Sequence, residues 1–191
     1  MQTIEKIARS EIEVNRSKFI AFLIPYGSFE TYYRQLKEEY PKANHIVYAY
    51  RFLNDNEQIV ENSSDDGEPK GCAGVPVLNV MRGGRLTDCA VAVVRYFGGI
   101  KLGTGGMARA YADAAKAVVQ AADVVAFILR RRYRFKTGYE AVRQTEYRLQ
   151  RYGIEVVQRD FVADGVIWQV LLSEEEKNKL QGHYALQEVE D

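Results

Sequence analysis

Residues 90–115 read AVAVVRYFGGIKLGTGGMARAYADAA. The run 90–94 is apolar without a break and rich in valine, which suits a central strand buried on both faces. The glycine-rich loop FGGIKLGTGG follows. A helix is then predicted over about 105–122, because Met107, Ala110, Tyr111, Ala114, Val118 and Ala121 fall on one stripe. Thr104 or Gly105 is its expected N-cap. Glycines at 98, 99, 103, 105 and 106 cost chain entropy, and make sense where backbone turns sharply or approaches another group closely. The amides of a first helical turn lack internal partners and, with the helix dipole, favour an anion. Arg95, Lys101 and Arg109 flank that turn and offer charge-assisted hydrogen bonds. With Gly103, Thr104, Gly105 and Gly106 they make a candidate site for a phosphate of RNA or of a nucleotide. A scaffolding loop explains the pattern equally well, with Arg95 and Arg109 paired to Asp65, Asp66 or Asp113. The spacing is neither a Walker A nor a regular Rossmann motif.

Working outward, residues 4–14 and 18–25 read as two strands turning at Asn15 and Arg16. Ser28 is a good N-cap for a helix carrying Phe29, Tyr33, Leu36 and Tyr40, which Pro41 ends. Residues 45–53 alternate: Ile46, Tyr48, Tyr50 and Phe52 face one side, Val47, Ala49 and Arg51 the other. Asn54, Asp55 and Asn56 make a turn, and 58–62 returns antiparallel. A polar loop precedes a short helix at 75–82, which Gly83 and Gly84 stop. Beyond 123 the chain restarts. Residues 124–134, 154–163 and 166–172 read as strands, 139–151 and 174–180 as helices, and 184–189 as a last short strand. That β-α-β-β-α-β order is the ferredoxin-like pattern, with Asp164 and Gly165 as a hairpin turn. Two domains are expected, 1–123 and 124–191.

The loop SSDDGEPKGCAG holds Asp65, Asp66 and Glu68, which either bind magnesium or bond loop amides and cap the next helix. His45 is a candidate base, an RNA-stacking ring or a satisfied core residue. Arg130, Arg131, Arg132 and Arg134 form a basic cluster interleaved with Tyr133 and Phe135. Such a surface grips phosphates and stacks bases, or protects an edge strand by charge. On alternation Arg130, Arg132 and Arg134 share a face.

The 191 residues are 47% hydrophobic and 27% charged, as in a folded soluble protein, with 26 acids and 26 bases. The charges balance on each side of residue 123, so any anion binding is local rather than whole-protein. No membrane-length apolar run or signal-peptide core occurs, so a cytoplasmic location is expected. Cys72 and Cys89 are too few for a disulfide framework and read as small packing residues. No cofactor and no confident metal site are implied.

SSDDGEPKGCAGVP at 63–76 and VRYFGGIKLGTGGMARAYADAA at 94–115, supported by RSKFIA at 16–21 and HIVYAYR at 45–51, closely resemble the signature of the IMPACT/YigZ family. The resemblance implies an α+β protein. Its first domain would be of ribosomal-protein type with a left-handed βαβ crossover, like domain IV of elongation factor G. Its second would be ferredoxin-like, as in domain V. Val47 and Cys72 depart from the residues usual at those positions. Eukaryotic relatives look like translation regulators acting through a protein partner, with a regulatory domain that has no counterpart here. The function so implied is an accessory factor binding RNA, the ribosome or a translation protein. The alternative is an enzyme on a nucleotide or other phosphorylated substrate, with magnesium at Asp65, Asp66 and Glu68, phosphates on Lys101 and Arg95, and His45 as base.

Overall fold

The structure, a computed structural model, describes residues 1–54 and 56–189. Asp55 of the expected 54–56 turn lies outside the described residues; Asn54 Oδ1 there accepts from the amides of Asn56 and Gln58. The chain divides into two compact units, Met1–Phe127 and Ile128–Asp191.

The first unit opens with β1 (Gln2–Ile4), β2 (Ala8–Val14) and β3 (Ser17–Pro25). Asn15 and Arg16, both at positive φ, turn β2 into β3. Then come α1 (Tyr26–Glu39), β4 (His45–Leu53), β5 (Ile59–Ser64), α2 (Gly74–Gly83), β6 (Cys89–Tyr96), α3 (Gly103–Ala121) and β7 (Val124–Ala126). The main sheet runs β2-β3-β6-β4-β5, with every neighbouring pair antiparallel. The AVAVV run therefore sits in the central strand, covered on both faces. Phe19, Ala21 and Leu23 of β3, Val47 and Ala49 of β4, and Val91 and Val93 of β6 face α2 and α3. Ile20, Phe22, Ile24, Ile46, Ala90, Ala92 and Val94 face α1 and its tyrosines. Each large apolar side chain buried this way stabilises by about 1.5–3 kcal/mol.

Three local expectations need correction. The helix α1 starts before Ser28, because the Tyr26 amide donates to the Asp88 carbonyl at 3.0 Å and sets the first turn without a side-chain cap. Residues 4–14 are not one strand: Ile4 is buried in the unit's core, and β1 pairs with β7 (Ile4 opposite Val124) rather than continuing into β2. For the same reason 124–134 breaks in two, with 124–126 staying in the first compact unit.

The second unit contains β8 (Arg131–Thr137), α4 (Val142–Arg151), β9 (Glu155–Val162), β10 (Gly165–Leu172), α5 (Glu174–Gln181) and β11 (Gln187–Glu188). Its sheet is ordered β11-β8-β10-β9, again antiparallel throughout. Trp168 is fully buried at its centre and donates to Thr137 Oγ1 at 2.9 Å. Ser173 caps α5 in a reciprocal box with Glu176.

Candidate functional site

The parity that turns Val91 and Val93 toward α3 carries Arg95 the same way. Its side chain is 6% exposed. It lies over the Phe19 and Phe97 rings at 5.6 and 5.7 Å, a cation–π arrangement. Its Nη1 donates to Glu68 Oε1, and the Tyr111 hydroxyl of α3 donates to the same oxygen at 2.8 Å. Burial first, and the adjacent Glu68 charge next, push the Tyr111 phenol far above its ordinary range. His45 Nδ1 stands 2.7 Å from the Asp66 carbonyl. A carbonyl only accepts, so Nδ1 donates here, and the other ring nitrogen, Nε2, lies 3.7 Å from Glu68 Oε2.

Arg95 is thus an internal cation and not part of an exposed cup, which corrects its assignment to the anion site. Its partner is Glu68, not Asp65 or Asp66. The acidic loop also resolves into three separate tasks. Asp65 accepts from the amides of Gly71, Ala73 and Gly74 at 2.7, 3.0 and 2.8 Å, closing the amino end of α2 from a distance. Burial alone would raise the Asp65 carboxyl, but those three donors more than reverse it and hold it below the usual carboxylate value. Asp66 Oδ2 accepts from the Ile46 amide at 2.6 Å. The three carboxylates diverge. Among the described residues no group of three or more His, Cys, Asp or Glu is placed to hold a metal ion, so the magnesium loop is corrected as well.

The amino end of α3 is different. The helix begins at Gly103, whose φ of +68° favours glycine. Leu102, rather than Thr104 or Gly105, occupies the N-cap position. No side chain caps this end and its first turn holds no acid. Lys101, Thr104, Gly105 and Arg109 are exposed and Gly106 is half-buried. Arg109 folds back over the turn, with Nη1 3.7 Å from the place a Gly105 Cβ would take. Asp113, the expected partner of Arg109, instead accepts from Lys116 at 3.1 Å. Neither Lys101 nor Arg109 has a hydrogen-bond or ion-pair partner among the described residues. The loop leading here is fixed: the Phe97 amide donates to Asn44 Oδ1 and the Gly98 amide to Ser17 Oγ. A Cβ on Gly98 would lie 2.0 Å from the Arg16 carbonyl carbon, so only glycine fits.

The profile of the Impact N-terminal domain matches residues 15–119. This chain belongs to the IMPACT family. An IMPACT family member of Haemophilus influenzae is 31% identical over 157 residues, covering 81% of this chain and 76% of that one. YvyE of Bacillus subtilis is 39% identical over 57% of this chain, and YigZ of Escherichia coli 36% identical over 52%. In those two the match spans only 51% and 50% of their length. A solved structure described as a hypothetical protein superposes with a TM-score of 0.72 at 26% identity, covering all of this chain and 97% of that one. The two-domain translational regulator Yih1 aligns over 62% of this chain and 48% of its own, at 28% identity and a TM-score of 0.41.

His45, the acidic loop and the end of α3 all lie within the matched IMPACT domain. The arginine cluster lies outside it. Arg130 precedes β8 and pairs with Glu176, Arg131 pairs with Glu188, and Arg134 donates to Gln187. Arg132 and Arg134 share a face of β8, but Tyr133 and Phe135 are 3% exposed and pack into the second unit's core. They are not free to stack on bases, which corrects that reading of the cluster. The sequence reading missed Tyr111 as a partner of Glu68. The signal was present in the helical stripe, which puts a phenol on the buried face of α3 where its hydroxyl needs an acceptor. No helix among the described residues is long and apolar enough to cross a membrane.

Proposed function

We propose that this IMPACT-family chain is an accessory factor of translation that binds RNA, free or on the ribosome, by seating a backbone phosphate at the amino end of α3. The observation that carries this is the contrast between two helix ends in one unit. The amides at the start of α2 are closed by Asp65. The start of α3 has no side-chain cap and is flanked by Lys101 and Arg109, exposed and without internal partners among the described residues. Uncapped amides with the helix dipole and two flexible cations favour a phosphate. Family membership supports the connection with translation. The β3-α1-β4 crossover and the β-α-β-β-α-β order of the second unit support a likeness to domains IV and V of elongation factor G, and a left-handed crossover belongs to that proposal.

The test is fluorescence anisotropy with labelled single-stranded RNA over a salt series. Binding should weaken as salt rises, with little sequence preference. The Lys101→Ala/Arg109→Ala double variant should flatten the salt slope by about 1–2, one contact for each lost cation. Unchanged affinity in the double variant at every salt concentration refutes the site. Failure to bind RNA or to cosediment with ribosomes at low salt refutes the function.

A further inference from the structure

The outward surfaces of α2 and α3 enclose an open groove with a cavity volume of about 690 Å³. Its floor is small and apolar. Pro76, Val80 and Gly83 line it from α2; Ala108, Ala112 and Val119 line it from α3. Both sets recur at helical spacing. They lie beside the stripes formed by Val77 and Met81, and by Tyr111, Ala115 and Val118, that face the core. Small side chains at these positions let another backbone approach closely, and two rows of ridges with a gap between them form a seat for a third helix.

The charge of the groove narrows the occupant. Among the described residues, the charged side chains lining it are Arg109 and Lys116, with no carboxylate. Arg109 has no ion-pair partner among the described residues. Lys116 holds Asp113 at 3.1 Å, but both side chains are more than half exposed, so solvent screens the pair and a competing carboxylate can replace it.

We infer that the α2–α3 groove is a docking site for an acidic amphipathic helix of a partner protein, with apolar side chains on the Val80–Ala112–Val119 floor and carboxylates on Arg109 and Lys116. This surface is separate from the RNA site except for Arg109, and Lys101 does not line it.

The probe is a synthetic helical peptide with leucine along one face and glutamate flanking it. The same peptide with lysine in place of glutamate is the control. Fluorescence anisotropy should show the acidic peptide binding at least about tenfold more tightly. Amide shifts in the NMR spectrum should map to residues of α2 and α3. Ala112→Trp fills the floor from a half-buried position outside the core, and should weaken the acidic peptide by about tenfold or more. Should that variant fold poorly by circular dichroism, Arg109→Glu/Lys116→Glu alters only exposed side chains and should reverse the preference between the peptides. Lys101→Ala should leave peptide binding intact while weakening RNA, which separates this site from the first. Equal binding of the two peptides, no binding of either, or unchanged binding in both groove variants overturns the inference. So does a concentration-dependent dimer that Ala112→Trp abolishes, because a second copy then fills the groove.

Discussion

Replacing Glu68 with glutamine tests whether the first unit is organised around its internal charges. The Glu68 and Arg95 side chains are 3% and 6% exposed. The substitution keeps an oxygen to accept from Tyr111 and removes only the charge. Arg95 is then a buried cation facing a neutral amide, with His45 and the Tyr111 phenol the other neighbours of position 68. Breaking a buried pair from one side costs about 3–5 kcal/mol, mostly for the charge left behind. With a urea m-value of about 2 kcal/mol/M, the midpoint should fall by roughly 2 M. Far-UV circular dichroism is the appropriate readout, because the single tryptophan, Trp168, lies in the second unit and reports unfolding there. The second arm is Glu68→Gln/Arg95→Met, in which neither charge remains. It should recover to within about 1 kcal/mol of the parent, since apolar replacement of a buried pair is often near neutral. A midpoint drop below about 0.5 M for Glu68→Gln, or a double variant no more stable than the single, would show that the unit does not depend on this buried charge pair.

Asp65→Asn leaves one acceptor oxygen where two now receive three amides, and should cost about 1–2 kcal/mol in thermal or urea unfolding. Its pH dependence has a definite sign. The folded Asp65 carboxyl lies below its ordinary value of 3.8, so its contribution is present above that value and lost as pH falls through the folded one. The parent's advantage over Asp65→Asn should therefore shrink in acid, and a constant advantage down to about pH 2 would contradict the assignment. The two thiols should differ in reactivity. Cys89 is fully buried, and burial pushes its thiol up to about 12. Native protein treated with iodoacetamide at mildly alkaline pH should be alkylated at Cys72 and spared at Cys89, as read by mass spectrometry.

Much of the first unit was legible because its periodicities are clean. An unbroken apolar run marked β6 as covered on both faces. The alternation of 45–52 put the β4 side chains it named on their observed faces. The stripe on α3 named Ala110, Tyr111, Ala114 and Val118, which became core, but it missed Ala115 and included Ala121, which is exposed. What failed were features decided by distant partners. The stretch VVAFILRRRYRF has continuous strand propensity, and nothing local marks the break after Ala126. That break arises because β1, at the other end of the unit, takes 124–126 as its partner. Arg95 looked like a surface cation because it adjoins a glycine loop. Its parity with Val91 and Val93 already pointed inward, but the carboxylate that makes burial tolerable comes from a different loop and cannot be paired with it by spacing. Tyr133 and Phe135 likewise looked like a stacking surface until the helices of the second unit covered their face.

The misplacement of Arg95 alters the role of the glycine loop rather than removing it. Arg95 at the end of β6, Glu68 in the acidic loop and Tyr111 on the third turn of α3 are bound to one another. The loop therefore runs between two anchored points. Asn44 and Ser17 hold its first amides, and the fit of Gly98 against Arg16 leaves no room to slide. The proposed phosphate site is built on this frame, so a ligand need not order the loop as it binds, and less interaction energy is lost to entropy. Lys101 and Arg109 supply charge from exposed positions, whereas Arg95 supplies position by being unavailable. This division predicts opposite signatures: loss at Lys101 should alter the salt dependence of RNA binding with stability unchanged, and loss at Arg95 should lower stability first and weaken binding only through the displaced loop.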